Sequence, residues 1–374
     1  MRAKTTVEAD DLCPCGSGAK YGRCCLRRGP DAYGNRIQHQ TVPVLLEGAR
    51  TEILSSFIGG DKRFRIIWNR LYWFPQEQTF HEFLDYLIMH TLGRAWFKAQ
   101  REKPSLGCHV VCRWRTTLLN LVEKPPDKAD GGHVMTGPVT SYLCFGYDLY
   151  WLQLLHRLPK SLIKRLRSNE HFQGARYEVA IAAACARAGF EIELLDESMK
   201  SVKHCEFVAV HKRTKTKVYV EVKSRRRPGV MNQTGIFDPS AHIKGDIFGL
   251  YSDAIQQAPA DCAPYLIFID TNLPSDVPKG TTAYGPIPID TYPWMREIRD
   301  GLNSRWSECK GATVETAVCI TNYGSHFGDE NAAAPIGACA LFASPKPRAP
   351  IVDPRMVADL AYCLRHYTTI PKQF

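Results

Sequence analysis

Apolar residues recur at helical spacing along 79–100 and 141–155, with Phe80, Phe83, Tyr86, Tyr147 and Trp151 on the repeating positions. The spacing predicts a mostly helical region from about residue 41 to 167. The Ala-rich run from Phe172 to Gly189 keeps the helical period, and Gly189 stands where a helix stops. The period then changes to two. Phe190-Glu-Ile-Glu-Leu-Leu195, His204-Cys-Glu-Phe-Val-Ala-Val210 and Lys217-Val-Tyr-Val-Glu-Val-Lys223 predict three strands, the last two joined by the polar turn 211–216. A helix at 243–257 and an apolar strand from Pro264 to Asp270 complete the order αβββαβ. Beyond 274, a helix around 292–306, strands near 314–321 and 336–342 and a helix at 354–367 predict an extension of the same sheet.

The predicted fold class is therefore mixed, α+β or α/β. With 374 residues, 44% hydrophobic and 23% charged, the chain has enough apolar material for two or three cores. The net charge of +10 is compatible with a polyanionic partner and does not single one out. No apolar run reaches the roughly 20 residues of a membrane span. The nearest, 142–156, carries Asp148. The first residues, Met1-Arg-Ala-Lys-Thr-Thr, lack the apolar core of a secretion signal, so a cytoplasmic protein without membrane attachment is expected. No internal repeat, P-loop, dinucleotide fingerprint or Ser-His-Asp set is present.

Fourteen cysteines divide into four crowded within 13–25 and ten scattered singly. Scattered thiols in such a chain are expected to be reduced. In the crowded segment, Cys13, Cys15, Cys24 and Cys25 are soft ligands suited to a tetrahedral zinc, and Gly16, Gly18 and Gly22 let the loop close on it. Two local disulfides are the competing reading. The run Cys13-Pro-Cys15-Gly-Ser-Gly-Ala-Lys20-Tyr21-Gly-Arg-Cys24-Cys25 resembles the SEC-C motif, with Cys25 where many members carry His. The resemblance implies a structural zinc knuckle that recruits protein or nucleic acid.

Strand alternation puts Glu221 and Lys223 on one face, one pleat apart. Glu178 on the Ala-rich helix and Glu206 on the second strand add two acids in a mostly apolar setting, where unpaired charge is costly. Such a set can hold a divalent cation and aim a water at phosphate. The bland reading makes each of the four an ordinary solvated charge. Their order along the chain resembles the PD-(D/E)xK, restriction-endonuclease-like superfamily over about 100 residues, with Glu206 where Asp is most often found.

By that resemblance Glu178 is the helix acid, Glu206 the first metal-binding acid, and Glu221 with Lys223 the Glu-x-Lys pair. Mg²⁺ or Mn²⁺ would be held by Glu206, Glu221 and the Val222 carbonyl. The implied function is metal-dependent phosphodiester hydrolysis, of DNA before RNA. Arg225, Arg226 and Arg227 directly follow and are candidates to grip phosphate. The expected organisation is a zinc knuckle at 1–30, a helical region of unassigned role at 31–167, a nuclease-like core at 168–275 and an α/β extension at 276–374. Two rivals stand beside it: an inactive nuclease-fold protein that binds nucleic acid, and an adaptor acting through the knuckle.

Overall fold

Alternation of small and branched apolar residues in 217–224, unbroken on one face, produces the central strand of a six-stranded sheet. In the computed structural model, residues 20, 37–41, 56–67, 70–104, 107–126, 132–155, 158–195, 205–238, 245–274, 292–335, 337–351 and 353–371 are described. Among them are nine α-helices and two sheets. The large sheet contains β5 (Phe190–Leu194), β6 (Phe207–His211), β7 (Lys217–Ser224), β8 (Tyr265–Asp270), β9 (Ala317–Asn322) and β10 (Ala338–Ala343), ordered β10-β9-β8-β7-β6-β5. β5, β6 and β7 are antiparallel, β7, β8 and β9 parallel, and β10 closes the edge antiparallel to β9.

The two faces are covered by different helices. Val218, Val220, Val222, Leu266, Phe268 and Cys319 join one core with α6 (Phe172–Arg187) and α9 (Pro354–Arg365). Alanines at 180, 182, 183, 184 and 186 let α6 lie close on the strands. Gly189, at φ 88°, takes the left-handed turn that leads straight into β5. The opposite core joins Tyr265, Ile267, Ile269, Val318 and Ile320 to α7 (Phe248–Ile255) and α8 (Pro293–Glu308). Consecutive β7–α7–β8–α8–β9 connections thus place both crossover helices on one side.

The region expected to be helical is only partly so. Residues 38–75 contribute a four-stranded antiparallel sheet instead, ordered β1-β4-β3-β2 from β1 (Gln38–Thr41), β2 (Ser56–Gly59), β3 (Lys62–Ile67) and β4 (Arg70–Pro75). Local propensity lost to pairing: Tyr72 and Phe74 are buried and meet Phe83 edge-on and stacked. The helices that follow are α1 (Phe80–Leu92), α2 (Arg94–Arg101), α3 (Val110–Val122), α4 (Gly137–Leu155) and α5 (Lys160–Leu166). Thr79 and Glu82 cap α1 reciprocally. α4 is buried almost throughout, against α1, α3 and α6, as its all-round apolar sequence requires. Its Asp148 is not a surface charge; it accepts a hydrogen bond from Tyr367 at 2.5 Å.

α1, α3 and α4 are tied by buried Asp85, which accepts from Arg115 Nε at 2.8 Å, Arg115 Nη2 at 3.1 Å and Tyr142 Oη at 2.7 Å. Removing one partner strands a buried charge. Asp85→Ala is expected to lower unfolding free energy by about 3–5 kcal/mol in urea denaturation. A loss under about 1 kcal/mol would mean that this triad carries little of the helical layer's stability.

Candidate metal and phosphate site

β6 and β7 pair from Phe207↔Val220 to Val210↔Lys217. Next to the Phe207↔Val220 pair stands Glu206, whose N–H donates to the Val220 carbonyl at 3.1 Å. Glu206 thus lies beside Val220 at the strand end, near enough to Glu221 for its charge to oppose ionisation there. Glu221 is 1% exposed and Glu206 is half-buried. Burial is the main cause that pushes Glu221 up to about 7; Lys223 pulls against it, and Glu206 adds to it. Lys223 Nζ is in contact with Glu221 Oε1, while the buried Oε2 has no hydrogen-bond partner.

A main-chain oxygen lies on the same strand edge. The Tyr219 N–H donates toward the β8 side, to the Pro264 carbonyl, and the Val220 carbonyl accepts from the β6 side. Backbone groups alternate along a strand, so the Val222 carbonyl also points toward β6, beyond the last described β6–β7 pair. Two carboxylates, one carbonyl and an ammonium group thus share this end of the sheet. Oxygen donors of this kind suit a small hard cation. Among the described residues no group of three or more His, Cys, Asp or Glu side chains is arranged for a metal.

Glu178 comes from α6. α6 covers the face of Val218, Val220 and Val222, and it reaches the strand ends there: Gln173 Nε2 donates to Ser224 Oγ at 3.0 Å, and Tyr177 Oη and Thr321 Oγ1 are 2.7 Å apart. Glu221 and Lys223 project from the opposite face, beside Tyr265 and Cys205. Glu178 instead lies 2.8 Å from Arg165 Nη2 of α5. The grouping of Glu178 with Glu206 and Glu221 remains an expectation, with Arg165 the ion-pair partner observed for Glu178.

The arginines separate as well. Arg225 donates to Asp246 Oδ2 at 3.1 and 2.8 Å through Nε and Nη2. Arg227 is 1% exposed and donates to the Thr271 carbonyl at 3.0 Å and Asp246 Oδ1 at 3.1 Å. Burial would raise the Asp246 carboxyl, but the two guanidinium groups outweigh it and hold it below the usual range. Arg227 is thus a structural clamp rather than a phosphate ligand. Arg226 alone of the three is exposed. Asp246 falls inside the helix expected at 243–257, but the described helix begins at Phe248, and the fold delivers Asp246 to the strand end instead.

A model of the SEC-C motif matches residues 11–27, so the chain carries that motif at its N-terminal end. Cys13, Cys15, Cys24 and Cys25 lie outside the described residues. No curated protein and no solved structure matches the chain. The ten cysteines among the described residues are all free thiols, six of them buried. No helix among the described residues is long and apolar enough to cross a membrane.

Glu221 titrates near 4.5 when unfolded and near 7 when folded. Its contribution to stability is therefore full below about 4.5 and is lost as pH rises through about 7. Glu221→Gln is expected to flatten the fall in Tm over that window. Asp148, also raised to about 7, adds a fall of the same sign that remains in both proteins. Mg²⁺ is expected to raise the wild-type Tm more at pH about 8 than at pH about 5 and to leave Glu221→Gln unchanged. Equal Mg²⁺ shifts in both proteins would move cation binding elsewhere.

Proposed function

We propose that the chain is a metal-dependent phosphodiester hydrolase acting on DNA or RNA. The observation that carries this reading is the buried Glu221 carboxylate, with Lys223 on Oε1 and a second acid, Glu206, near enough to oppose its ionisation. Burial and the nearby Glu206 both disfavour a charged Glu221, and a bound cation would favour it. Glu206, Glu221 and the Val222 carbonyl would hold Mg²⁺ or Mn²⁺. When bound, the ion supplies neutralisation of developing negative charge and a more acidic water.

Lys223 is half-buried beside Glu221, where its ammonium group would orient the attacking water or stabilise the phosphorane-like charge. Arg226 offers an exposed guanidinium three residues further on, for a neighbouring phosphate. Arg225 and Arg227 fix the strand end through Asp246 and so keep Arg226 and Lys223 in register. The SEC-C motif would add a structural zinc on Cys13, Cys15, Cys24 and Cys25 and recruit a protein or nucleic-acid partner; four thiolates in that spacing suit tetrahedral zinc.

A second reading has its own support. Glu178 paired with Arg165, and Arg225 and Arg227 paired with Asp246, suit a nuclease-like protein that binds nucleic acid without cleaving it. An adaptor acting through the SEC-C motif alone would need neither Glu221 nor Lys223.

The test is cleavage of labelled duplex DNA, single-stranded DNA and RNA by the full chain with Mg²⁺ or Mn²⁺. Glu206→Gln, Glu221→Gln and Lys223→Ala are each expected to lower the rate at least about 100-fold. Glu178→Gln is expected to lower thermal stability and leave metal affinity unchanged. Cleavage that survives both Glu221→Gln and Lys223→Ala removes the proposed site, and tight binding without metal-dependent turnover selects the second reading.

A further inference from the structure

On the α6 side of the sheet, away from Glu221, the loop that leaves β7 closes over a cavity of about 320 Å³. Its walls are Arg113, Trp114 and Thr117 of α3, Phe237 at the end of the loop, and His326 and Phe327 of the 3-10 turn Gly324–Phe327. Glu330 stands at its edge and is exposed. We propose that this cavity binds a nucleotide, with the base laid against its aromatic wall and the phosphate on Arg113.

The chemistry of the walls argues for a flat anionic ligand. Phe237 and Phe327 have ring centroids 5.2 Å apart, and the His326 ring lies 4.4 Å from Phe327. With Trp114 they make a lining of four π-faces and edges, which favours a planar ring over a branched aliphatic group. His326 is half-buried and desolvation pushes its pKa well down, so at neutral pH it is an uncharged stacking surface. The one cation in the wall, Arg113, makes a single long hydrogen bond, 3.4 Å to the Cys108 carbonyl, and no ion pair among the described residues. A guanidinium with donors to spare beside aromatic rings matches a phosphate next to a base. Pro138, in the first turn of α4, also borders the cavity and brings the positive end of a 19-residue helix to it. Glu330 can accept from an exocyclic amino group.

The loop is built to hold this shape. Gly229 at φ 73°, Met231 at 46°, Asn232 at 67° and Gly235 at 107° are all left-handed, a conformation that Met rarely takes. A Cβ on Gly229 would lie 2.6 Å from the Phe237 nitrogen, so only glycine lets the two ends of the loop meet. Asn232 Nδ2 donates to the Cys108 carbonyl at 3.1 Å, and Gln233 Nε2 to the carbonyls of Asn169 and Glu170 at 3.3 and 3.2 Å. The cavity also reports on the strand end: the His326 Nε2 bond to Asn272 Oδ1 is 2.9 Å, and Asn272 Nδ2 donates to the Arg225 carbonyl at 3.1 Å.

The nucleotide has two possible sources, a free mononucleotide or one residue of a strand turned out of its stack. Titration of the full chain without divalent metal, with AMP, CMP, GMP, UMP, adenosine, inorganic phosphate and a 5′-phosphorylated single-stranded oligonucleotide, separates them. Nucleotides with an amino-bearing base are expected to bind better than UMP, adenosine and phosphate. Arg113→Ala is expected to weaken the binding at least about tenfold, and Thr117→Phe, which fills the cavity from α3, to abolish it. Glu330→Ala, at an exposed position, is expected to erase the preference over UMP without weakening UMP itself. Binding by mononucleotides assigns a free ligand. Binding by the oligonucleotide alone, weakened by Arg113→Ala, assigns a strand residue. Failure of all nucleotides at about 1 mM, equal binding of phosphate and nucleotide, or variants that bind like wild type overturns the proposal. None of these results depends on Glu221, so the cavity and the cleavage site fail or stand separately.

Discussion

A buried carboxylate with a second acid near it at a strand end is the constraint around which this fold is arranged. Glu221 lies in the central strand of a six-stranded sheet with Val222 and Val220 packed behind it and Tyr265 beside it. Glu206 lies at the end of the pairing, beside Val220 and near Glu221. In water two such acids would tolerate each other; at this depth ionising both is opposed by desolvation and by mutual repulsion. Lys223 relieves only part of the charge. The pair is therefore held by the fold in an arrangement that a cation would complete, and its stability cost is the physical ground for a functional reading.

The sheet also keeps chemistries apart. Because side chains alternate across β7, the valines feed the core under α6 while Glu221 and Lys223 project on the side of α7 and α8. The strand end is then locked by Asp246, which gathers Arg225 and Arg227 from two directions. Beyond that lock the chain crosses to the α6 side, where the left-handed loop 229–235 encloses the aromatic cavity. Two polar regions of different character thus lie on either side of one strand terminus, joined through Asn272 and the Arg225 carbonyl.

Much of the large sheet was legible in the sequence because its signals are local. Period two in 217–223, helical period in 172–187 and Gly189 between them specify a helix, a turn and strands without reference to the rest of the chain. The Glu221–Lys223 pair was legible for the same reason. What escaped was set by partners distant in sequence. Nothing near Glu178 says which side of α6 will meet the sheet, and its partner Arg165 comes from α5. Arg225 and Arg227 read as free cations until Asp246 arrives from 19 to 21 residues away. Strands β3 and β4 were hidden because their arginines and aromatics do not alternate cleanly; Arg65 is buried against Phe80, 4.6 Å from its ring centre, where a charge pattern predicts exposure.

The most direct test of the central claim is an anomalous-diffraction map of crystals soaked in Mn²⁺. A peak within coordination distance of both Glu206 and Glu221 carboxylates and of the Val222 carbonyl, at about 2.0–2.3 Å, is the expected result. Ordered density for both carboxylates with manganese absent from between them, or manganese bound at Glu178 instead, would contradict it.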